Sequence, residues 1–325
     1  QSGRQPDKPP SQQPGKPAPP PPQDTRPRRA TEPEQEPKKE DQDDAPIKLS
    51  ASLVTVITSV TDALGNHVND LTAQDFTIYE DGEPQDVAGL YRENEMPLRM
   101  VFLFDTSTSI RHRFDFEKRA AAAFFRRVMR PSDQAAIISV ANESKLETQF
   151  TSDVEQLIAS LDRLKPEGAT ALYNALVDAA KYVRPAEGRH VLIVLSDGSD
   201  TASGATLAQA MTEVQKSDAV IYSVHSTGIA PSANVQDLQG EFVLKTIAED
   251  TGGIAFYPVV QADPKKEARD LEVIYNRIAA EVRAQYVLTY YSKNIASNGF
   301  RSIRVEVKRP GLQVRARKGY YTAKS

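Results

Sequence analysis

Hydrophobic and polar positions fall into distinct regimes along this chain. From Ile47 apolar and polar residues alternate (Ile47, Leu49, Ala51, Leu53) in a stretch rich in Val, Ile and Thr, which reads as a strand through Val60. Gly65 within Asp62–Asn66 marks a turn. Phe76–Tyr79 and Glu83–Leu90 flank Asp81-Gly82, a pair suited to the left-handed backbone of a tight hairpin. From Met100 the pattern changes to short continuous apolar runs: Met100–Phe104, Ala135–Val140, His190–Leu195 and Val220–Val224. Such runs suit strands buried on both faces. Between and after them lie segments of helical period: Phe114–Met129, Val154–Leu164, Ala171–Tyr182, Ala205–Lys216, Glu241–Asp250 and Pro264–Arg283, with a short strand at Ile254–Tyr257. Alternation then returns at Tyr286–Tyr291, Ile303–Val307 and Leu312–Ala316, with turn signals at Asn298-Gly299 and Pro310-Gly311.

Short buried strands alternating with helices predict an α/β fold over residues 96–285: a doubly wound, mostly parallel central sheet with helices on both faces. The β segments 47–95 and 286–325 flank it, and neither has enough strands to be stable alone. They are expected to pack together into one small β-sandwich, with the α/β domain inserted between them. In an open sheet of this kind ligands bind beyond the carboxyl ends of the strands, so the loops that follow strands are where chemistry belongs.

Composition adds a boundary. Residues 1–46 hold 13 of the 22 prolines and no Val, Ile, Leu, Met, Phe or Tyr. Such a stretch cannot bury enough surface to offset its ordering entropy, and it is expected to be a disordered linker. The sequence opens at Gln1 directly into this Pro-rich spacer, and the expectation is an exported protein, secreted, periplasmic or held at the cell envelope, whose signal peptide has been removed. Lys and Arg total 40 against 44 Asp and Glu, a balance that argues against a nucleic-acid partner. The absence of cysteine excludes disulfides, thiol nucleophiles and Cys-based zinc sites. No apolar run approaches the roughly 18 residues of a transmembrane segment.

Three pieces carry candidate chemistry. Asp105-Thr106-Ser107-Thr108-Ser109, a D-x-S-x-S pattern, follows the first core strand. Gly168-Ala169-Thr170 opens a helix. Ser196-Asp197-Gly198-Ser199-Asp200 follows the strand that ends at Leu195. Together they offer two carboxylates and three hydroxyls, hard oxygen ligands suited to Mg²⁺ or Mn²⁺, with Ca²⁺ a further candidate, and ill suited to Zn²⁺ or Cu²⁺. Alternation within D-x-S-x-S lets Asp105, Ser107 and Ser109 face one point, which Thr170 and Asp197 reach from neighbouring loops. Neutral hydroxyls hold an ion without cancelling its charge. A coordination position left open would accept a carboxylate from a partner.

These residues resemble the metal-ion-dependent adhesion site of the von Willebrand factor type A domain, the fold shared with integrin inserted domains. The resemblance covers roughly residues 98–284 and implies that Ser107, Ser109 and Thr170 touch the ion while Asp105 and Asp197 act through water. The flanks, Asp75-Phe76…Glu80-Asp81-Gly82 and Arg317-Lys318-Gly319-Tyr320-Tyr321, resemble a bacterial group of exported proteins built around this domain. The expected function is a non-enzymatic, cation-dependent protein-binding and adhesion module, whose metal bridges to an acidic residue of a partner protein. An alternative is an architectural protein whose metal site binds its own chain, for instance the acidic run Glu32–Asp44, or a sister subunit. A metal-dependent hydrolase is a further alternative. It wants a general base, and His112 and His225 are placed by no motif.

Other polar residues read more simply. Asp133 is expected in a turn or cap, Asp200 as a surface turn residue with a supporting place behind the metal ligands as the alternative, His112 in a solvated loop, and His225 at a strand end. Arg111 and Arg113 are expected as exposed charge, and Tyr286, Tyr290, Tyr291, Tyr320 and Tyr321 as sandwich core and edge. No G-x-S-x-G, G-x-x-x-x-G-K-[ST] or H-E-x-x-H motif is present.

Overall fold

The computed structural model describes residues 53–92, 96–108, 111, 113–227, 235–258, 264–293 and 299–322, with the backbone alone at 236 and 264–268. The linker expected over 1–46, Ser109 and His112 lie outside the described residues.

The central sheet has the order β10-β9-β8-β5-β6-β7. Its strands are β5 (Leu98–Asp105), β6 (Gln134–Val140), β7 (Ser144–Thr151), β8 (Arg189–Ser196), β9 (Val220–His225) and β10 (Ala255–Phe256). All neighbours pair parallel except β6 and β7, which pair antiparallel. Met100, Phe102 and Phe104 of β5 point into a core shared with α1 (Phe114–Val128), α2 (Val154–Arg163) and α6 (Pro264–Arg283). Val101 and Leu103 point into a second core with α3 (Leu172–Val183), α4 (Leu207–Lys216) and α5 (Val235–Asp250). A continuous apolar run is what such a strand needs, because both of its faces are covered. Phe102 is fully buried among Phe104, Phe124, Phe125 and Tyr275. Replacing it with Ala would cost roughly 3–5 kcal/mol.

Strand β6 lies on one side of β5, and β8 on the other. The chain's progression across the sheet therefore reverses between β5 and β8, the switch point outside which open α/β sheets bind ligands. Register aligns the two ends, with Phe104 opposite Leu195, so that Asp105 and Ser196 emerge side by side.

The flanking segments form two antiparallel four-stranded sheets, ordered β13-β1-β11-β4 and β14-β12-β2-β3. The strands before the α/β core are β1 (Leu53–Thr61), β2 (Phe76–Glu80), β3 (Glu83–Gln85) and β4 (Val87–Arg92). Those after it are β11 (Tyr286–Tyr291), β12 (Phe300–Val307), β13 (Gln313–Ala316) and β14 (Gly319–Tyr321). Each sheet draws strands from both segments, and Val56, Ile78, Leu288, Tyr290, Val305 and Tyr320 share one core between them. Glu80 is buried there, and it accepts hydrogen bonds from the Tyr290 hydroxyl, Ser292 Oγ (2.7 Å) and the Tyr320 hydroxyl (3.0 Å). Three donors around one carboxylate meet the requirement that a buried charge be hydrogen-bonded. Tyr286, Tyr290 and Tyr320 are core residues, as expected, and Tyr291 is exposed.

Some elements depart from the pattern expected. Glu83–Leu90 is not one strand; it divides at Asp86 into β3 and β4, which join different sheets. β7 is an additional antiparallel edge strand in which only Thr148 is buried, so no apolar alternation announces it. α5 starts at Val235 rather than Glu241. Among the described residues, no helix is long and apolar enough to cross a membrane.

Candidate metal centre at the carboxyl edge of the sheet

Asp105 ends β5 and is fully buried. Its Oδ1 accepts from the Ser107 backbone N–H at 2.8 Å, a short Asx turn that bends the chain off the strand. Its Oδ2 accepts from Ser196 Oγ at 2.7 Å. The Ser107 hydroxyl bonds the same carboxyl group. Burial, opposed by these hydrogen bonds and reinforced by the nearby charge of Asp197, pushes the Asp105 carboxyl up to about 6. Ser196, to which the sequence reading gave no role, holds the arrangement from β8: it donates to Asp105 and accepts from the Gly198 N–H at 3.2 Å. Its position at a strand end beside an Asp-Gly pair was the one signal for it.

Asp197 is partly buried, and its Oδ1 accepts from the Ser199 N–H at 2.9 Å. The turn needs Gly198 twice over. Its φ is +80°, and a Cβ there would stand 2.2 Å from the Gly240 carbonyl oxygen of α5.

Thr170 is buried beside these loops. Asn142, in the turn between β6 and β7, accepts from the Ala169 N–H at 2.7 Å, and Gly168 has a φ of +79°. From the other side, Thr170 N–H donates to Thr201 Oγ1 at 3.1 Å, and its carbonyl accepts from the N–H groups of Thr201 and Ala202. The first turn of α3 has no side-chain cap of its own; Asp200 accepts from Tyr173 N–H (3.0 Å) and Ser203 Oγ from Asn174 N–H (3.0 Å). Asp200 is thus a cap supplied from a distant loop, fastening the Asp197 loop to the helix that follows Thr170.

The structure brings Asp105, Ser107, Thr170 and Asp197 to loops at one edge of the sheet; Ser109 lies outside the described residues. Among the described residues no group of three or more His, Asp and Glu converges, so a cation here would rest on hydroxyls and two carboxylates. That donor set fits a hard divalent ion. The Asp105 carboxyl is held above the usual range chiefly by its burial, with a smaller push from the charge of Asp197.

Other residues fall outside this set. Asp133 is a buried cap that accepts from Leu98 N–H and Arg130 N–H, both at 2.8 Å, and pairs with Arg283. Arg111 is exposed as expected, whereas Arg113 is buried. His225 ends β9 and is buried, and its pKa is lowered by that burial despite the charges of Asp197 and Asp237.

The fold and this site together define a doubly wound α/β domain with hydroxyls and carboxylates gathered at the carboxyl edge of its sheet. Residues 100–199 match the von Willebrand factor type A domain family. No curated protein matches the chain in sequence. Similar solved structures include the conserved hypothetical protein BatB from Bacteroides thetaiotaomicron, 18% identical, covering 57% of this chain and 99% of that one, with a TM-score of 0.44. A von Willebrand factor type A protein from Catenulispora acidiphila is 14% identical over 81% of this chain and 71% of that one (TM-score 0.47). The vWF domain of the type V pili tip protein Mfa5 from Porphyromonas gingivalis is 13% identical over 57% and 96% (TM-score 0.46). These identities are too low to carry a function across.

Proposed function

We propose that this chain is a non-enzymatic protein-binding module in which Asp105, Ser107, Ser109, Thr170 and Asp197 hold Mg²⁺ or Mn²⁺, and that an acidic residue of a partner protein completes the ion's coordination. The observation that carries the reading is the Asp105 carboxyl at a strand end, hydrogen-bonded by Ser107 and Ser196, and raised to about 6 chiefly by its burial, with a smaller push from the charge of Asp197. A divalent cation supplies the positive charge that this pair of carboxylates calls for, and neutral hydroxyls leave it electrophilic toward a partner's carboxylate. The protein's own part is to bury the acids, aim the hydroxyls and fasten three loops together.

Export belongs to the same proposal, because the Pro-rich composition of residues 1–46 suits a spacer holding the module away from an envelope surface.

Titration calorimetry of the full chain with Mg²⁺ and Mn²⁺ tests the site. Saturable binding in the parent that is lost in Asp105→Ala, with the far-ultraviolet circular dichroism retained, is expected. An Asp105→Ala variant that takes up the ion as the parent does would refute the assignment.

A further inference from the structure

His190, the second residue of β8, lies on the same face of the strand as Leu192 and Val194, the face that packs against α3 and α4. Its ring stands between the ends of those two helices. Nδ1 is 2.6 Å from the carbonyl oxygen of Ser217, the residue that closes α4. Nε2 is 2.7 Å from the carbonyl oxygen of Ala186, two residues past Arg184, which closes α3.

A carbonyl oxygen only accepts. A neutral imidazole has one N–H, so one of its nitrogens would turn a lone pair on an oxygen at hydrogen-bond distance. The imidazolium, with a proton on each nitrogen, donates to both. The surroundings favour that charge, because each carbonyl lies at or just beyond the C-terminal end of a helix, where the macrodipole is negative. The charged side chains on the elements around the ring are engaged elsewhere or exposed. Arg99 of β5 donates to the Leu98 and Ser132 carbonyls. Arg184 and Lys216 both pair with Glu213 of α4, and Asp218 pairs with Arg317. Arg189 donates across the other face of β8 to Gln285 and the Val282 carbonyl, and Glu187 is exposed.

We propose that His190 is a proton-operated staple. With both nitrogens protonated, it ties the end of α3 to the end of α4 at the amino-terminal edge of the sheet. When one proton leaves, one carbonyl faces a lone pair and that tie opens, so the two helix ends are held more firmly in acid than in alkali. The sign follows from linkage. A histidine in an unfolded chain gives up its second proton at about pH 6.5. The folded ring uses that proton in a hydrogen bond and releases it only at higher pH. Its stabilisation is therefore complete below the unfolded midpoint and is lost as pH rises through the folded one. The staple sits at the far end of β8 from Ser196 and stands independently of the metal reading.

Nitrogen-15 NMR of the imidazole rings in the full chain, with His190 assigned through its own backbone, tests this. The titration midpoint of its ring nitrogens in the folded chain is expected at higher pH than in the same chain unfolded by urea. By linkage that displacement is the stabilisation the ring supplies, so the test needs no variant that could fail to fold. A folded midpoint at or below the unfolded one overturns the proposal. His190→Gln, which carries no titrating group, gives a second reading by urea denaturation. The ratio of the parent's folding equilibrium constant to the variant's should fall about tenfold between pH 6 and pH 8.5. Parallel pH curves for the two proteins would show that the proton does not hold the helix ends together, and overturn it as well.

Discussion

Gly198 and Gly240 meet backbone to backbone: a Cβ built on Gly198 lies 2.2 Å from the Gly240 carbonyl oxygen, and one built on Gly240 lies 2.2 Å from that of Asp197. Two elements far apart in sequence, the loop after β8 and the helix α5, are thereby set at a separation that no side chain permits. Gly198 needs its left-handed φ of +80° in addition, so a substitution there mixes two effects. Gly240 lies inside a helix, and Ala would gain up to about 1 kcal/mol of helix propensity. Gly240→Ala therefore isolates the contact. We expect the Asp197 loop to be displaced and Mg²⁺ affinity in calorimetry to fall about tenfold, the equivalent of roughly 1.4 kcal/mol, within the 1–3 kcal/mol cost of overpacking. Parent-like affinity in this variant would mean that the contact does not position Asp197.

Asp105 gives a pH prediction whose sign follows from its burial. Its pKa is about 6 in the folded protein against a reference value of 3.8. Between those values the folded state holds the proton more tightly than the unfolded one. Stability of the metal-free protein therefore falls as pH rises from about 4 to about 6, and stays lowered above that. A shift of about 2 units corresponds to roughly 3 kcal/mol. Asp105→Asn removes the charge, and its amide can still accept from Ser107 N–H and donate to Ser196 Oγ. Urea denaturation in chelator should find the variant more stable than the parent by about 1–3 kcal/mol near pH 7.5, with the difference closing near pH 4. Saturating Mg²⁺ should raise the parent's stability and leave the variant's unchanged. Parallel pH curves for the two proteins would show that Asp105 pays no burial penalty.

What could be read from the sequence, and what could not, follows from where each residue's partners lie. β5 and β8 are legible because a strand covered on both faces must be apolar throughout, as Met100–Phe104 and Val191–Leu195 are. β7 was not, because the edge strand Ser144–Thr151 is mostly polar and buries only Thr148 fully, with Phe150 half-buried against Tyr182. The start of α5 was missed because Val235 and Leu238 point outward and Gly240 breaks the helical pattern; that glycine answers to the Asp197 loop and not to the helix. At the site, D-x-S-x-S was visible as spacing after a strand. Ser196 was not, because its partner Asp105 is 91 residues away and only the β5–β8 register joins them. Asp200 looked like a turn residue because its role is to cap α3, a helix that precedes it in the chain.

Glu281 near the end of α6 supplies a further prediction, concerning how the α/β core is joined to the sandwich. Its carboxylate is buried, at 2% exposure, and accepts from the Ser59 hydroxyl of β1 and from Arg315 of β13, with His67 Nε2 at 3.5 Å. Gln285, just past the helix, extends the same cluster, donating to the Tyr222 hydroxyl of β9 at 2.8 Å. Removing the carboxylate leaves the buried Ser59 hydroxyl without its acceptor, whereas Arg315, about a third exposed, can turn to water. Glu281→Ala should therefore cost less than the 3–5 kcal/mol of breaking a fully buried pair, about 2–3 kcal/mol. Glu281→Gln keeps an acceptor for Ser59 and loses only the charge, and about 1 kcal/mol is expected. Urea denaturation at neutral pH would measure both. Equal losses in the two variants would place the stabilisation in the charge on Arg315, and a loss under about 0.5 kcal/mol in Glu281→Ala would show that the join between core and sandwich rests on apolar packing instead.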